Sequence, residues 1–263
     1  MIPNKAIDSL PLWAVFVGTV LVALLAVELG YRLGRSWQTR THDEKEGPVG
    51  AMAAATLGLL AFLLAFMASM AAGRFDNRRV LVIEEANAIG TAWLRAGFLD
   101  EPHRGHSRVL LVEYVDTRLA AADDPTQIEA ARARSEQIQV ELWMTAQVLA
   151  KNDGDSAVSA LYFEALNNLI DIHTTRAMAV LTSRIPVDIW RGIYGVALLS
   201  MVLLGVQTSY GGRRNWMSII VLALVFAVVL TLIVDLDRPL EGVLTVNQQA
   251  LIDLQAQISA FTP

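Results

Sequence analysis

Phe62, Phe66 and Met70 stand four residues apart in a long run without charge. That spacing sets large apolar side chains in one row of an α-helix. Such a row packs against protein or lipid, or narrows a pore that gates by dewetting. On the same stretch Ala54, Gly58, Ala61, Ala65, Ala68 and Ala72 recur at intervals of four, three, four, three and four. A seam of small side chains admits close helix–helix packing in lipid, which is the favoured reading. The sharper reading crowds copies of the helix around a central axis. Further along, Glu84, Asn87, Thr91 and Arg95 share one face, beside the apolar row Val82, Ala86, Ile89 and Trp93. A polar stripe is most often a solvated face. On a helix lining an axis it would be the wall of an aqueous vestibule.

Other candidates read as structural. Glu28 and Arg32 have the i,i+4 spacing of a local ion pair. Asp235, Asp237 and Arg238 crowd the end of an apolar run and suit either a cation or an anchor to Arg74, Arg78 or Arg79; the anchor is preferred. His103 and His106 share a loop with Asp100 and Glu101, but match no helical zinc motif, so no metal is assigned. A P-loop, a Rossmann glycine signature and a Gly-x-Ser-x-Gly elbow are all missing. An enzyme is therefore the poorest-supported class, and neither a catalytic residue nor a cofactor is expected.

These residues need elements to position them. Four runs carry no charge: residues 9–27, 47–73, 192–212 and 215–234. Each is about the 20 residues that a helix needs to cross a bilayer. The first reads as a retained pass, because only Lys5 precedes it, offset by Asp8, and its basic residues follow. Residues 74–185 show helical spacing without strand alternation or hairpin signals. The second pass is expected to run on as one helix from about Gly50 to Leu99, ended by Asp100-Glu101-Pro102. Further helices are expected over Ser107–Ala121, from Asp124-Pro125 to Ala150, and from Asp155 or Ser156 to Ser183. Val246–Ser259, with Leu251, Leu254, Ala256 and Ile258, reads as a short amphipathic helix that docks on the domain or on a neighbouring subunit. The fold class is thus all-α, a four-pass transmembrane protein with an inserted helical bundle. Its parts are residues 1–73 (two passes), 74–185 (bundle), 186–235 (two passes) and 236–263 (tail).

Composition agrees. The chain has 263 residues, 54% hydrophobic and only 18% charged, where soluble domains average about 25% charged. It has no cysteine, which excludes disulfides and thiolate chemistry. The stretch from Arg74 to Ile185 holds 12 basic and 16 acidic residues, so it is acidic and offers nucleic acid no surface. Counting basic residues near the passes does not decide orientation: Arg32, Arg35, Arg40, Lys45, Arg213 and Arg214 lie on one side, and Lys5, Arg74, Arg78, Arg79, Arg184, Arg191 and Arg238 on the other. The first pass alone favours an outside N-terminus.

Leu57–Arg95 runs from an apolar pass into Arg74-Phe75-Asp76, then Arg78-Arg79 and Glu85-Ala86-Asn87-Ala88-Ile89-Gly90. With Tyr114-Val115-Asp116-Thr117-Arg118-Leu119, Asp237-Arg238-Pro239 and Gly242, this resembles the bestrophin-like family of bacterial membrane proteins, over most of the chain. The resemblance implies a homo-oligomer in the lipid bilayer, pentameric as in bestrophin anion channels, with inorganic ions as partners. It implies a bacterial cytoplasmic membrane with the inserted domain in the cytosol, and a second pass that lines the pore with Phe62, Phe66 and Met70 as its neck. The alternative is a non-conducting scaffold or sensor whose acidic bundle binds a partner or ligand.

Overall fold

The structure, a computed structural model, describes residues 10–39, 46–152, 156–181, 184–211, 215–239 and 242–261. Lys5, Asp8, Arg40, His42, Lys45, Asp155, Arg213 and Arg214 lie outside them. Every regular element among the described residues is helical: α1 Leu12–Gln38, α2 Glu46–Ala96, α3 His103–Asp123, a 3-10 turn Pro125–Gln127, α4 Ile128–Asn152, α5 Ala157–Leu181, α6 Val187–Tyr210, α7 Trp216–Asp237 and α8 Gln249–Phe261. Four of these, α1, α2, α6 and α7, have the length and apolar composition to cross a membrane. The chain divides into two compact units, Met1–Phe75 with Arg184–Thr245, and Asp76–Ser183 with Val246–Pro263.

Local chemistry sets the helix ends. α2 stops at Ala96 rather than Leu99 because Gly97, Phe98 and Leu99 N–H groups turn back to the carbonyls of Leu94, Arg95 and Ala96, a tightened last turn. α3 begins at His103, before the expected Ser107, where the Glu101 carboxylate accepts the Gly105 N–H at 3.1 Å. Asp124 is the expected cap: its Oδ1 accepts the Thr126 N–H at 3.0 Å, with Pro125 opening the 3-10 turn. α7 is capped by Asn215, whose Oδ1 accepts the Ser218 N–H at 3.4 Å.

In the first unit α1 packs on α6 and α7. Its core includes Val27, Leu60, Leu64, Met67, Met201, Leu230 and Ile233. The crossing of α1 and α6 is a backbone contact: a Cβ at Gly30 would overlap the Val202 carbonyl, and one at Gly205 would overlap the Val27 carbonyl. Gly30 and Gly34 form a Gly-x-x-x-Gly pair, and Gly34 sits against Ser209. In lipid the hydrophobic effect does not hold helices together, so close packing permitted by small residues must. The ion pair expected on α1 is present, Arg32 Nε to Glu28 Oε1 at 2.7 Å.

The second unit packs α3, α4, α5 and α8 with the Asp76–Ala96 part of α2 around Ile89, Trp93, Leu111, Ile138, Leu142, Leu166 and Leu169. α8 docks within it through Leu251, Leu254 and Ile258, and Gly90 gives Leu254 Cδ1 room. Arg108 lies 4.1 Å over the Trp93 ring. Arg134 clamps α3 to α4, reaching Glu113 at 2.6 and 2.9 Å and Glu141 at 2.9 Å.

Gly30→Ala and Gly205→Ala are each expected to destabilise the first unit by about 1–3 kcal/mol, the usual cost of overpacking. Gly18→Ala, where a Cβ meets nothing within 4 Å, is expected to cost nothing. Thermal unfolding in detergent checks this.

Candidate functional site

The first unit presents α2 with two unlike sides. Leu60, Leu64, Met67 and Ala71 are buried. Phe62 and Phe66 are 68% and 59% exposed. Met70 is half-buried, with Arg74 Nη2 3.7 Å from its sulfur. Ala54, Gly58, Ala61, Ala65 and Ala72 of the small-residue seam are exposed, and Ala68 is half-buried. At about 100° per residue the seam, the Phe row and the buried stripe occupy three separate sectors. A Cβ at Gly58 or Gly73 would meet nothing within 4 Å, unlike one at Gly30 or Gly205. Among the described residues, packing within the unit uses the buried stripe, reaches Ala68 and Met70 at its edges, and leaves Ala54, Gly58, Ala61, Phe62, Ala65, Phe66 and Ala72 exposed.

At the end of α7, still in the first unit, the carboxylates serve the backbone. Asp235 Oδ1 accepts the Val243 N–H at 2.9 Å and Oδ2 the Leu244 N–H at 3.3 Å. Asp237 accepts the Ile185 N–H at 3.1 Å and lies 3.6 Å from Arg74 Nη1. Arg238 Nη2 donates to the Leu10 carbonyl at 2.7 Å, tying this end of α7 to the start of α1. Among the three expected anchor arginines, Arg74 is the partner within this unit. No group of three His, Asp or Glu residues that could hold a metal occurs among the described residues. Glu101, from the candidate loop at His103 and His106, is engaged by Arg104 at 2.7 Å and the Gly105 N–H.

In the second unit the polar stripe splits. Glu84, Asn87 and Thr91 are exposed, with Val80, Ile83 and Leu94 exposed nearby. Arg95 is instead drawn onto α5, where Nη1 reaches the Leu161 carbonyl at 2.6 Å and Glu164 Oε2 at 2.8 Å.

The second unit also holds a cluster that the spacing argument missed. Glu85 of α2 is fully buried. Arg176 of α5 hydrogen-bonds its Oε2. Tyr114 Oη donates to its Oε1 at 3.0 Å, and Arg118 Nε lies 3.2 Å from that oxygen. His173 Nδ1 is 2.7 Å from Tyr114 Oη, Gln139 Nε2 donates to the same hydroxyl at 3.4 Å, and Arg176 Nη2 donates to Gln248 Oε1 at 3.0 Å. α2, α3, α4, α5 and the approach to α8 each contribute one or two side chains. Burial alone would raise the Glu85 pKa; Arg176, the His173 contact and Arg118 outweigh it and hold the carboxyl well below the usual carboxylate range. Burial, then the Glu85 charge, pushes the Tyr114 hydroxyl above its ordinary value, so it stays a donor.

The missed signal was present. Val82, Glu85 and Ile89 are spaced by three and four, so Glu85 is a carboxylate inside an apolar row. The polar spacing Glu84, Asn87, Thr91 and Arg95 points to its neighbour Glu84 instead. Glu85, Tyr114 and Arg118 also belong to the segments singled out as family-like, and Arg74, Asp237 and Arg238 to the others. Those segments hold part of each of the two buried polar centres, one in each unit; Gln139, His173, Arg176 and Asp235 lie outside them.

Two comparisons bear on the family and the fold. A family model described as the bestrophin-like domain matches residues 14–251. The fold is similar to a crystal structure of a bacterial bestrophin homolog from Klebsiella pneumoniae, at TM-score 0.64 and 17% identity, covering 95% of this chain and 98% of that one. A point-mutant form of that homolog gives TM-score 0.65 at 17% identity, covering 95% and 98%. A crystal structure of a membrane protein variant gives 0.64 at 16% identity, covering 95% and 97%. No curated protein matches the chain.

Glu85→Gln leaves Arg118 and Arg176 without a counter-charge in a buried site, and is expected to destabilise the second unit by about 3–5 kcal/mol. Glu84→Gln, at the exposed neighbour, is expected to stay within about 0.5 kcal/mol. Denaturant unfolding of the full chain followed by tryptophan fluorescence separates the two.

Proposed function

This chain belongs to the bestrophin-like family, and on that premise we propose that it is a homo-oligomeric ion channel whose α2 lines the pore. The uncovered face of α2 carries the reading. Small residues permit close helix approach only where another helix arrives, and among the described residues no atom outside the helix's own turn lies within 4 Å of a Cβ at Gly58. A second copy supplies that helix. The Phe62, Phe66 and Met70 row then turns to the axis as an apolar constriction. Glu84, Asn87 and Thr91 line the vestibule beyond it, with Arg95 held at its edge by Glu164. The pentamer, the bacterial cytoplasmic membrane and the cytosolic placement of the inserted domain follow from the family resemblance and are part of the proposal.

A non-conducting scaffold or sensor is the second reading. It is favoured by an exposed apolar row on α4, Val140, Met144 and Val148, which a partner could cover. A monomer or dimer in detergent, with a partner retained by the full chain but lost on Met144→Asp, would support it.

Channel activity is tested on purified protein in liposomes. Phe62→Ala and Phe66→Ala widen the constriction and are expected to raise ion flux several-fold; absence of flux in every salt with wild type and both variants would count against a channel. Because the chain lacks cysteine, Ala65→Cys can be oxidised alone. It is expected to give cross-linked copies on a denaturing gel, whereas Met67→Cys on the buried stripe gives none.

A further inference from the structure

The first unit holds a groove that the proposed pore does not use. α1 and α6 begin at the same end, since Gly30 meets Val202 and Gly34 meets Ser209. At that level they touch backbone to backbone. Toward their starts they part, and a Cβ at Gly18 would meet nothing within 4 Å. The cleft that opens there has a volume of about 320 Å³. Ala23 of α1, Ala197 and Met201 of α6 and Phe226 of α7 line it and are buried, while Val22 and Leu198 are exposed at its rim. The hydroxyls in its lining are those of Thr19 and Tyr194. Thr19 donates to the Val15 carbonyl at 2.8 Å and is hydrogen-bonded to Tyr194, so both are engaged within the protein. Such an apolar cavity does not hold water.

We propose that this groove binds one acyl chain of a membrane lipid. Its place, length and bore select that occupant. All three of its helices have the length and apolar composition to cross a membrane, so the rim opens to hydrocarbon. From Trp190 to Met201, α6 rises about 16 Å at about 1.5 Å per residue. A single leaflet is as deep, about 15 Å, half of a hydrocarbon core about 30 Å thick. One turn of an α-helix, about 10 Å across and about 5.4 Å long, takes about 400 Å³. The whole groove is smaller than that, so a helix of a second copy does not seat in it. Lipid tails are as apolar as leucine, so transfer from water does not drive the binding. A chain that fills the cleft gains the dispersion contacts that a void forfeits. The ends of the helices place the lipid head. Trp190 stands in the first turn of α6 with the exposed Asp188–Arg191 pair, and Arg238 at the end of α7 donates to the carbonyl of Leu10 in the lining. The mouth of the groove therefore lies at the water boundary. None of this depends on ion conduction.

The test uses the full chain in phosphatidylcholine vesicles containing a small share of phosphatidylcholine with a diazirine midway along one acyl chain. After irradiation, mass spectrometry compares label at Ala197 and Met201, buried in the groove, with label at Leu199, 71% exposed on the same helix. All three are expected to be labelled in wild type. In Gly18→Phe, where open space admits a large side chain, label at Ala197 and Met201 is expected to fall several-fold while Leu199 is unchanged. Wild-type label confined to Leu199 would overturn the proposal, whether residues 1–9, a neighbouring copy or nothing occupies the groove. Label at Ala197 and Met201 that Gly18→Phe leaves unchanged would overturn it too. Should Gly18→Phe not fold, Val22→Trp at the rim takes its place, with the same two outcomes.

Discussion

One helix, α2, has more surface than its own chain covers, and the rest of the architecture depends on how that surface is shared out. Leu60, Leu64, Met67 and Ala71 are buried in the first unit, and Val82, Glu85, Ile89 and Trp93 in the second. The remaining sectors carry side chains of two opposite kinds: large ones at Phe62 and Phe66, and small ones from Ala54 to Ala72. For a lipid-facing surface, large apolar side chains suffice and a regular seam of small ones has no purpose. Among the described residues no other segment covers most of that seam; in the ring proposed above it would meet a different face of the neighbouring copy.

The two units are consolidated by different physics. In the first, Gly30 and Gly205 let α1 and α6 touch backbone to backbone, and backbone N–H groups outside the helices are taken up by Asp235 and Asp237. In the second, an aqueous-type core of Leu, Ile and Tyr side chains surrounds one carboxylate that draws on α3 and α5 together. Burying that charge is costly, and an apolar replacement of the whole cluster could be as stable. Its directional bonds nonetheless fix which helix faces meet, as no equally large patch of leucines would.

Much of this was legible in the amino-acid order. The four charge-free runs become the four apolar helices, the unbroken spacing beyond Arg74 becomes the long α2, and Asp124 caps where its type and the following proline place it. Val246–Ser259 becomes a helix within the second unit, starting slightly later, at Gln249. The buried cluster was not legible, because its members lie on four helices and spacing reports only neighbours on one helix. Glu85 and Arg95 show the limit from both sides. Glu85 stands in the apolar row of Val82 and Ile89, but its partners on α3 and α5 come together only in the fold. Arg95 reads as part of a solvated stripe until Glu164, far along the chain, claims it. The Gly30–Gly34 pair was readable, since its spacing is a packing signal in lipid, but the seam on α2 carried the more regular pattern.

Electron cryo-microscopy of the full chain in lipid nanodiscs tests the central claim most directly, because it shows both the number of copies and which face of α2 they share. The account predicts a closed ring with α2 innermost, the Ala54–Ala72 seam against neighbouring copies and Phe62 and Phe66 facing the axis. A monomer, or an oligomer in which Phe62 and Phe66 face lipid and α2 lies at the periphery, would contradict it.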